Sequence, residues 1–127
     1  MHCMGRFLRR RNDKLRRRRP RLSVRVKSLE TERGFRIVGD LDIFSADLVM
    51  KVLRPELHGT LVLDLSGVGF MDDSGLGALV GALKRLRDGG GSLILRNPRP
   101  QILRALELTG LAKLPGLTIE TDELRGP

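Results

Sequence analysis

Tryptophan and tyrosine are absent from this sequence, and four phenylalanines supply all of its aromatic content, 3% of residues. A stacking platform for single-stranded nucleic acid needs aromatic faces, so the composition argues against that class. The one cysteine, Cys3, excludes a disulfide framework and a cysteine-built zinc site. The only histidines, His2 and His58, lie far apart, which leaves little from which to build a histidine metal site or a Ser-His-Asp triad. No run of about 20 apolar residues occurs, so no segment reads as a membrane-spanning helix. A phosphate loop with its lysine is missing. Gly67 and Gly69 begin a dinucleotide-like pattern but lack the third glycine and the immediate strand–turn–helix order. Asp64 and Asp72 offer a pair of carboxylates or a Mg²⁺ site, against the simpler reading of a strand-end turn and a helix cap. Ser74 has no neighbouring His or Lys to activate it as a nucleophile. The expectation is a protein that is not an enzyme, with no cofactor and no metal.

What is present is one domain's worth of chain: 127 residues, 40% hydrophobic and 31% charged. The net charge of +9 is uneven. Residues 1–27 hold twelve Lys or Arg against one acid, Asp13, for +11. Residues 28–127 hold the other twelve bases and fourteen acids, for −2. A mildly acidic domain therefore carries a basic tail, 1–21. Three readings of the tail stand side by side. Arg9–Arg11 and Arg16–Arg19 can contact nucleic acid or an anionic membrane surface by counterion release. The tail can be a solvated, disordered extension held open by its own repulsion. It can also be an upstream extension outside the native protein. Arg9–Arg11 interrupt the apolar core that a secretory signal requires, so a reducing cytoplasm is the expected location.

From Leu22 the pattern changes. Leu22, Val24 and Val26 alternate with polar residues and predict a half-buried strand. After a turn at 30–34, Phe35, Ile37, Gly39 and Leu41 predict a second strand, antiparallel to the first. Ser45 is placed to cap a helix reaching toward Leu57 through Leu48, Val49, Val52 and Leu53, with Pro55 ending it near Leu53 or kinking its last turn. The apolar run Thr60–Leu65 predicts a central strand buried on both faces. A loop is expected at 66–73, then a helix from Ser74 to about Arg87, with Ser74 as its cap and Gly89–Gly91 as its stop. Residues 92–96 predict another buried strand. Pro100 opens a helix with Ile102, Leu103, Leu106 and Leu108 on its apolar face, ended by Gly110. A short strand around Leu117–Glu120 is optional, and 122–127 read as a frayed end. The order ββαβαβα, with a final β, predicts an α/β domain over 22–121 whose mixed sheet of four or five strands is flanked by helices. Gly75 and Gly77 are poor helix formers in a first turn, which suggests close approach to that backbone.

Phe70-Met71-Asp72-Asp73-Ser74-Gly75-Leu76-Gly77 resembles the signature of STAS domains in bacterial anti-sigma factor antagonists. Gly39-Asp40-Leu41-Asp42, Leu63-Asp64-Leu65-Ser66 and Leu106-Glu107-Leu108-Thr109-Gly110-Leu111 resemble further segments of that family in the same order. The likeness covers about residues 22–120 and leaves the basic tail outside. It implies partner switching. An unphosphorylated antagonist binds an anti-sigma factor, itself an ATP-dependent serine kinase, and frees a sigma factor without touching it. Phosphorylation dissociates the complex, and a serine phosphatase restores it. The family's phosphoacceptor falls on Ser74. Asp40, Asp42, Asp72, Asp73, Gly75 and Leu76 join it as the implied partner-binding residues. Where the family often has a second serine, this chain has Asp73, a fixed negative charge beside the acceptor. The alternatives are a STAS module serving a transporter or another signalling complex, and a nucleic-acid or membrane-surface binder acting through the tail.

Overall fold

A computed structural model describes residues 24–121. The tail 1–21, the start of the first strand at Leu22 and the C-terminal 122–127 lie outside the described residues. Strand β1 spans Val24–Ser28 and β2 spans Gly34–Leu41. Helix α1 is Ala46–Leu53, followed by a 3₁₀ turn at Arg54–Glu56. Strand β3 is Thr60–Met71 and helix α2 is Asp73–Asp88. Strand β4 (Ser92–Arg96), helix α3 (Pro100–Leu108), a 3₁₀ turn at Leu111–Lys113 and β5 (Leu117–Glu120) complete the chain.

The five strands form one sheet in the order β1-β2-β3-β4-β5. The first pair is antiparallel and the other three are parallel. The expected mixed α/β sheet flanked by helices is what forms, and the optional last strand is present. One core joins Ile37, Leu41, Leu61, Leu63, Leu65, Leu93 and Leu95 of the sheet to Val49 and Leu53 of α1, Leu79, Leu83 and Leu86 of α2, and Ile102 and Leu106 of α3. Because side chains alternate across a strand, all three helices therefore meet the same face of the sheet. The other face carries the row Arg36, Asp64, Arg96 and Glu120, aligned by register across four strands.

Two sequence expectations are corrected here. Residues 66–71 form no loop: β3 runs on to Met71, paired with β2 across two register shifts around Arg36–Val38 and Gly39–Asp40. Gly39 takes φ 119°, which a side chain resists, and Gly67 lies so close to Val38 that a Cβ there would stand 2.9 Å from its Cγ2. Of the two endings expected for helix α1, the first is what forms: the helix stops at Leu53, with Pro55 in the 3₁₀ turn. Leu48 and Val52 of α1 and Leu108 of α3 were assigned to apolar faces by spacing, yet all three are exposed, Leu108 at 78%. Gly89–Gly91 do end α2, with Gly91 N–H donating to Leu86 O at 2.7 Å.

Candidate functional site

The end of the sheet where β2 and β3 finish gathers most of the residues singled out by the sequence. Asp40 opposes Phe70 and Leu41 opposes Met71 across the β2–β3 pair, so both strands end together. Asp72 N–H then donates to Leu41 O at 3.1 Å, which fixes the start of α2 against β2. The cap of α2 is Asp72 rather than Ser74: its Oδ1 accepts from Ser74 N at 2.9 Å and from Gly75 N at 3.1 Å. A carboxylate bonds those first-turn donors more strongly than a hydroxyl and suits the positive end of the helix dipole. Ser74 is thereby moved to the second helical position. It is half-buried, and its hydroxyl has no hydrogen-bond partner among the described residues.

The turn from β2 to α1 is held by its own polar groups. Asp42 Oδ1 accepts from Phe44 N and Ser45 N, each at 3.0 Å. The buried Ser45 caps no helix donor. Its Oγ donates to Asp40 O at 2.6 Å and accepts from Asp42 N at 2.9 Å. One oxygen of Asp42 is thus a structural acceptor, while the carboxylates of Asp40 and Asp73 carry no such bond among the described residues.

Two grooves flank the start of α2. One, of about 320 Å³, lies between α1 and α2 and is lined by Ile43, Ala46, Asp47, Met50, Ser74 and Ala78. The other, of about 350 Å³, lies between α2 and the end of α3, with Asp73, Leu76, Gly77 and Val80 facing Thr109, Gly110, Leu111 and Leu114. Ser74 thus opens on one groove and Asp73 on the other. Ile43 and Phe44, at 67% and 61% exposure, stand beside the first, and Phe70 is also exposed. Sequence reasoning missed these apolar residues. Their signal was available: two large apolar side chains directly after Asp42, where a polar turn is usual.

Gly75 is buried, and a Cβ there would lie 2.3 Å from Leu41 O, so the close backbone approach expected at this turn is made by the protein's own β2. Gly77 is different: it is exposed, and a Cβ would meet nothing within 4 Å.

Asp64 and Asp72 are not brought together, standing eight residues apart along an extended strand, about 25 Å. Asp64 is buried and faces Arg36, with Arg36 Nη2 at 3.3 Å from Oδ2 and Ser66 Oγ donating to Oδ1 at 2.7 Å. Burial alone would raise its pKa; the Ser66 hydroxyl and amide, together with the Arg36 guanidinium, hold it below the usual carboxylate value instead. Among the described residues no cluster of His, Cys, Asp or Glu could hold a metal ion, and no helix is long and apolar enough to cross a membrane.

The family model for the STAS domain matches residues 24–123. The anti-sigma-B factor antagonist of Bacillus subtilis is 32% identical over 103 residues, 80% of this chain and 94% of that protein. A solved anti-sigma factor antagonist from Mycobacterium paratuberculosis superposes with a TM-score of 0.57 at 25% identity, covering 75% of this chain and 83% of that one. The unphosphorylated form of the anti-sigma factor antagonist SpoIIAA shares the fold, with a TM-score of 0.61 at 23% identity over 80% of this chain and 91% of that one.

Proposed function

The chain belongs to the STAS-domain family, and on that premise we propose that it is a bacterial, cytoplasmic anti-sigma factor antagonist whose binding face is switched by phosphorylation of Ser74. Unphosphorylated, it binds an anti-sigma factor that is also a serine kinase, and so releases a sigma factor. The kinase then transfers a phosphoryl group from ATP to the Ser74 hydroxyl, and a serine phosphatase removes it. The protein itself does no chemistry beyond presenting that hydroxyl.

The observation that carries this reading is the setting of Ser74. Its hydroxyl is half-buried, has no partner among the described residues, and sits one residue into α2 on the wall of a groove. A phosphoryl group adds about −1.5 to −2 charge there. The positive end of α2 tolerates that charge, so the fold survives modification. A docked partner does not: a charge buried without a counter-ion at the centre of an interface costs several kcal/mol. About 3–4 kcal/mol weakens binding several-hundred-fold, enough for a switch. Asp73, Gly75 and Leu76 lie on the same helix start, and Asp40, Asp42 and Asp72 rim it. Gly77 fits this reading as well, because the fold has no steric need for a bare backbone there while a close-packed partner would.

Mass spectrometry after incubation with ATP and the anti-sigma kinases of the same cell tests the proposal. The expected result is a single added phosphoryl group mapped to Ser74 and lost in Ser74→Ala, with partner binding abolished in the phosphorylated form. Phosphorylation at another residue, or unchanged partner affinity after modification of Ser74, would refute it.

A further inference from the structure

The register of the sheet decides where the N-terminal segment leaves the domain. Val24, the first residue of β1, pairs with Gly39, and Gly39 pairs with Val68 of β3. The preceding residues therefore emerge at the end of the sheet that carries Asp40, Asp42 and the Asp72–Asp73 pair. The opposite end, marked by Gly59, Gly91 and Gly116 before β3, β4 and β5, is a strand length away.

The two surfaces are complementary in charge and in polarity. Residues 1–23 hold ten Lys or Arg against Asp13 alone. Five carboxylates, those of Asp40, Asp42, Asp47, Asp72 and Asp73, gather at this end of the sheet, with Asp47 on the wall of the groove between α1 and α2, and among the described residues no Lys or Arg forms an ion pair with them. The ion pairs seen there join Arg33 to Glu56, Arg36 to Asp64, and Arg96 to Glu32 and Glu120, all elsewhere. Arg99, beside β3 at Gly69, directs its Nε to Ser66 O at 2.9 Å. The groove also has an apolar side, made by Ile43, Met50 and Ala78, with Ile43 exposed. The tail matches that too: Phe7-Leu8 is bracketed by Arg6 and Arg9–Arg11, with Arg16–Arg19 closer to the domain. Leu8 lies sixteen residues before Val24, a reach of up to about 50 Å, whereas crossing from β1 to β3 takes only about 10 Å.

We infer that the N-terminal basic segment of this chain docks on its own α1–α2 groove, with Phe7 and Leu8 against Ile43 and Met50 and the arginine clusters against the surrounding aspartates. Ser74 lies on that groove wall, so the docked segment covers it. The docking stands without the partner-switching reading. Its consequence rests on that reading: the segment competes with the anti-sigma factor for one face, and access to Ser74 is set from within the chain.

The single cysteine allows a direct test on the full-length protein without a partner. A nitroxide is attached at Cys3, and paramagnetic broadening of backbone amide lines is read across the domain. The expected result is broadening concentrated at Ile43–Met50 and Ser74–Ala78, several-fold stronger than at Gly59, Gly90 and Gly116. It should disappear in a full-length variant with Arg9–Arg11 and Arg16–Arg19 replaced by Gln. It should also fade near 1 M salt, where screening acts within about 3 Å. Equal broadening at both ends of the sheet, or a pattern indifferent to both the substitutions and salt, overturns the inference. So does an unlocalised label accompanied by arginine-dependent, salt-steep binding of duplex DNA or anionic vesicles, which assigns the segment to an external polyanion.

Discussion

Gly75, Gly77 and Gly81 all lie within α2, where each forgoes roughly 1 kcal/mol of helix propensity relative to alanine. Only Gly75 is required by the fold. Its missing side chain lets the helix start touch the β2 backbone at Leu41. Gly75→Ala should therefore destabilise by about 1–3 kcal/mol, because a backbone oxygen cannot move aside as a side-chain tip can. Gly77→Ala should do the reverse and stabilise by about 0.5–1 kcal/mol, since its Cβ enters open space. Urea midpoints of the two variants check both signs. On the proposed binding face Gly77→Ala should in addition weaken anti-sigma factor binding. A variant that is more stable yet binds worse identifies a glycine kept for a partner. The sequence marks both residues as odd for a first turn. It could not tell them apart, because the difference lies in what stands opposite each in space.

At the scale of elements, the start of α2 depends on Asp72. Removing its carboxylate in Asp72→Ala should cost about 1 kcal/mol, with a lower urea midpoint and an unchanged slope. Loss of the m-value as well would mean that α2 has come away rather than frayed. The cap also bears on the proposed switch. The N–H groups of Ser74 and Gly75, which a new anion would seek, already bond Asp72. A phosphate on Ser74 therefore points outward unless it displaces that carboxylate, which keeps it open to a partner and to a phosphatase. Element type and order were legible in the sequence because period-2 and period-3.6 patterns alternate cleanly from Val24 to Glu120. The run Ser66-Gly67-Val68-Gly69 was misread as a loop, since two glycines and a serine imitate one. In the fold they permit a bulged strand to hug β2. Leu48, Val52 and Leu108 were misread for a related reason: helical spacing reports that a face is apolar, not what covers it.

Taken as a whole molecule, the sheet carries a line of alternating charge on the face away from its helices: Arg36, Asp64, Arg96 and Glu120, with Glu32 joining at Arg96. The Arg96 guanidinium is held protonated even more firmly than usual by the hydrogen bonds it donates to Glu32 and Glu120. Asp64 makes the fold sensitive to acid. Its carboxyl titrates below its ordinary value of 3.8 in the fold, so the stability it contributes is complete above that pH and is lost as pH falls through the lower folded value. Asp64→Asn should lose about 1–2 kcal/mol at pH 7, where a charge-assisted bond to Arg36 is replaced by a neutral one. It should also show a shallower fall in stability below pH 4, measured by thermal unfolding across pH. A parallel fall in both proteins would place the acid sensitivity elsewhere.

Strand order in space is the same as strand order along the chain. No later segment has to thread between earlier ones, and each strand finds its neighbour among the residues made just before it. Each parallel pairing closes over a single crossover, its partners 24 to 32 residues apart, and domains can form while the chain is still being synthesised. The unit from β1 to the end of α2 closes by Asp88, with Asp40, Asp42, Asp72 and Ser74 already in place, before β4 and β5 are made. A nascent chain emerging from the ribosome would thus present its proposed binding face first and finish its far edge afterwards.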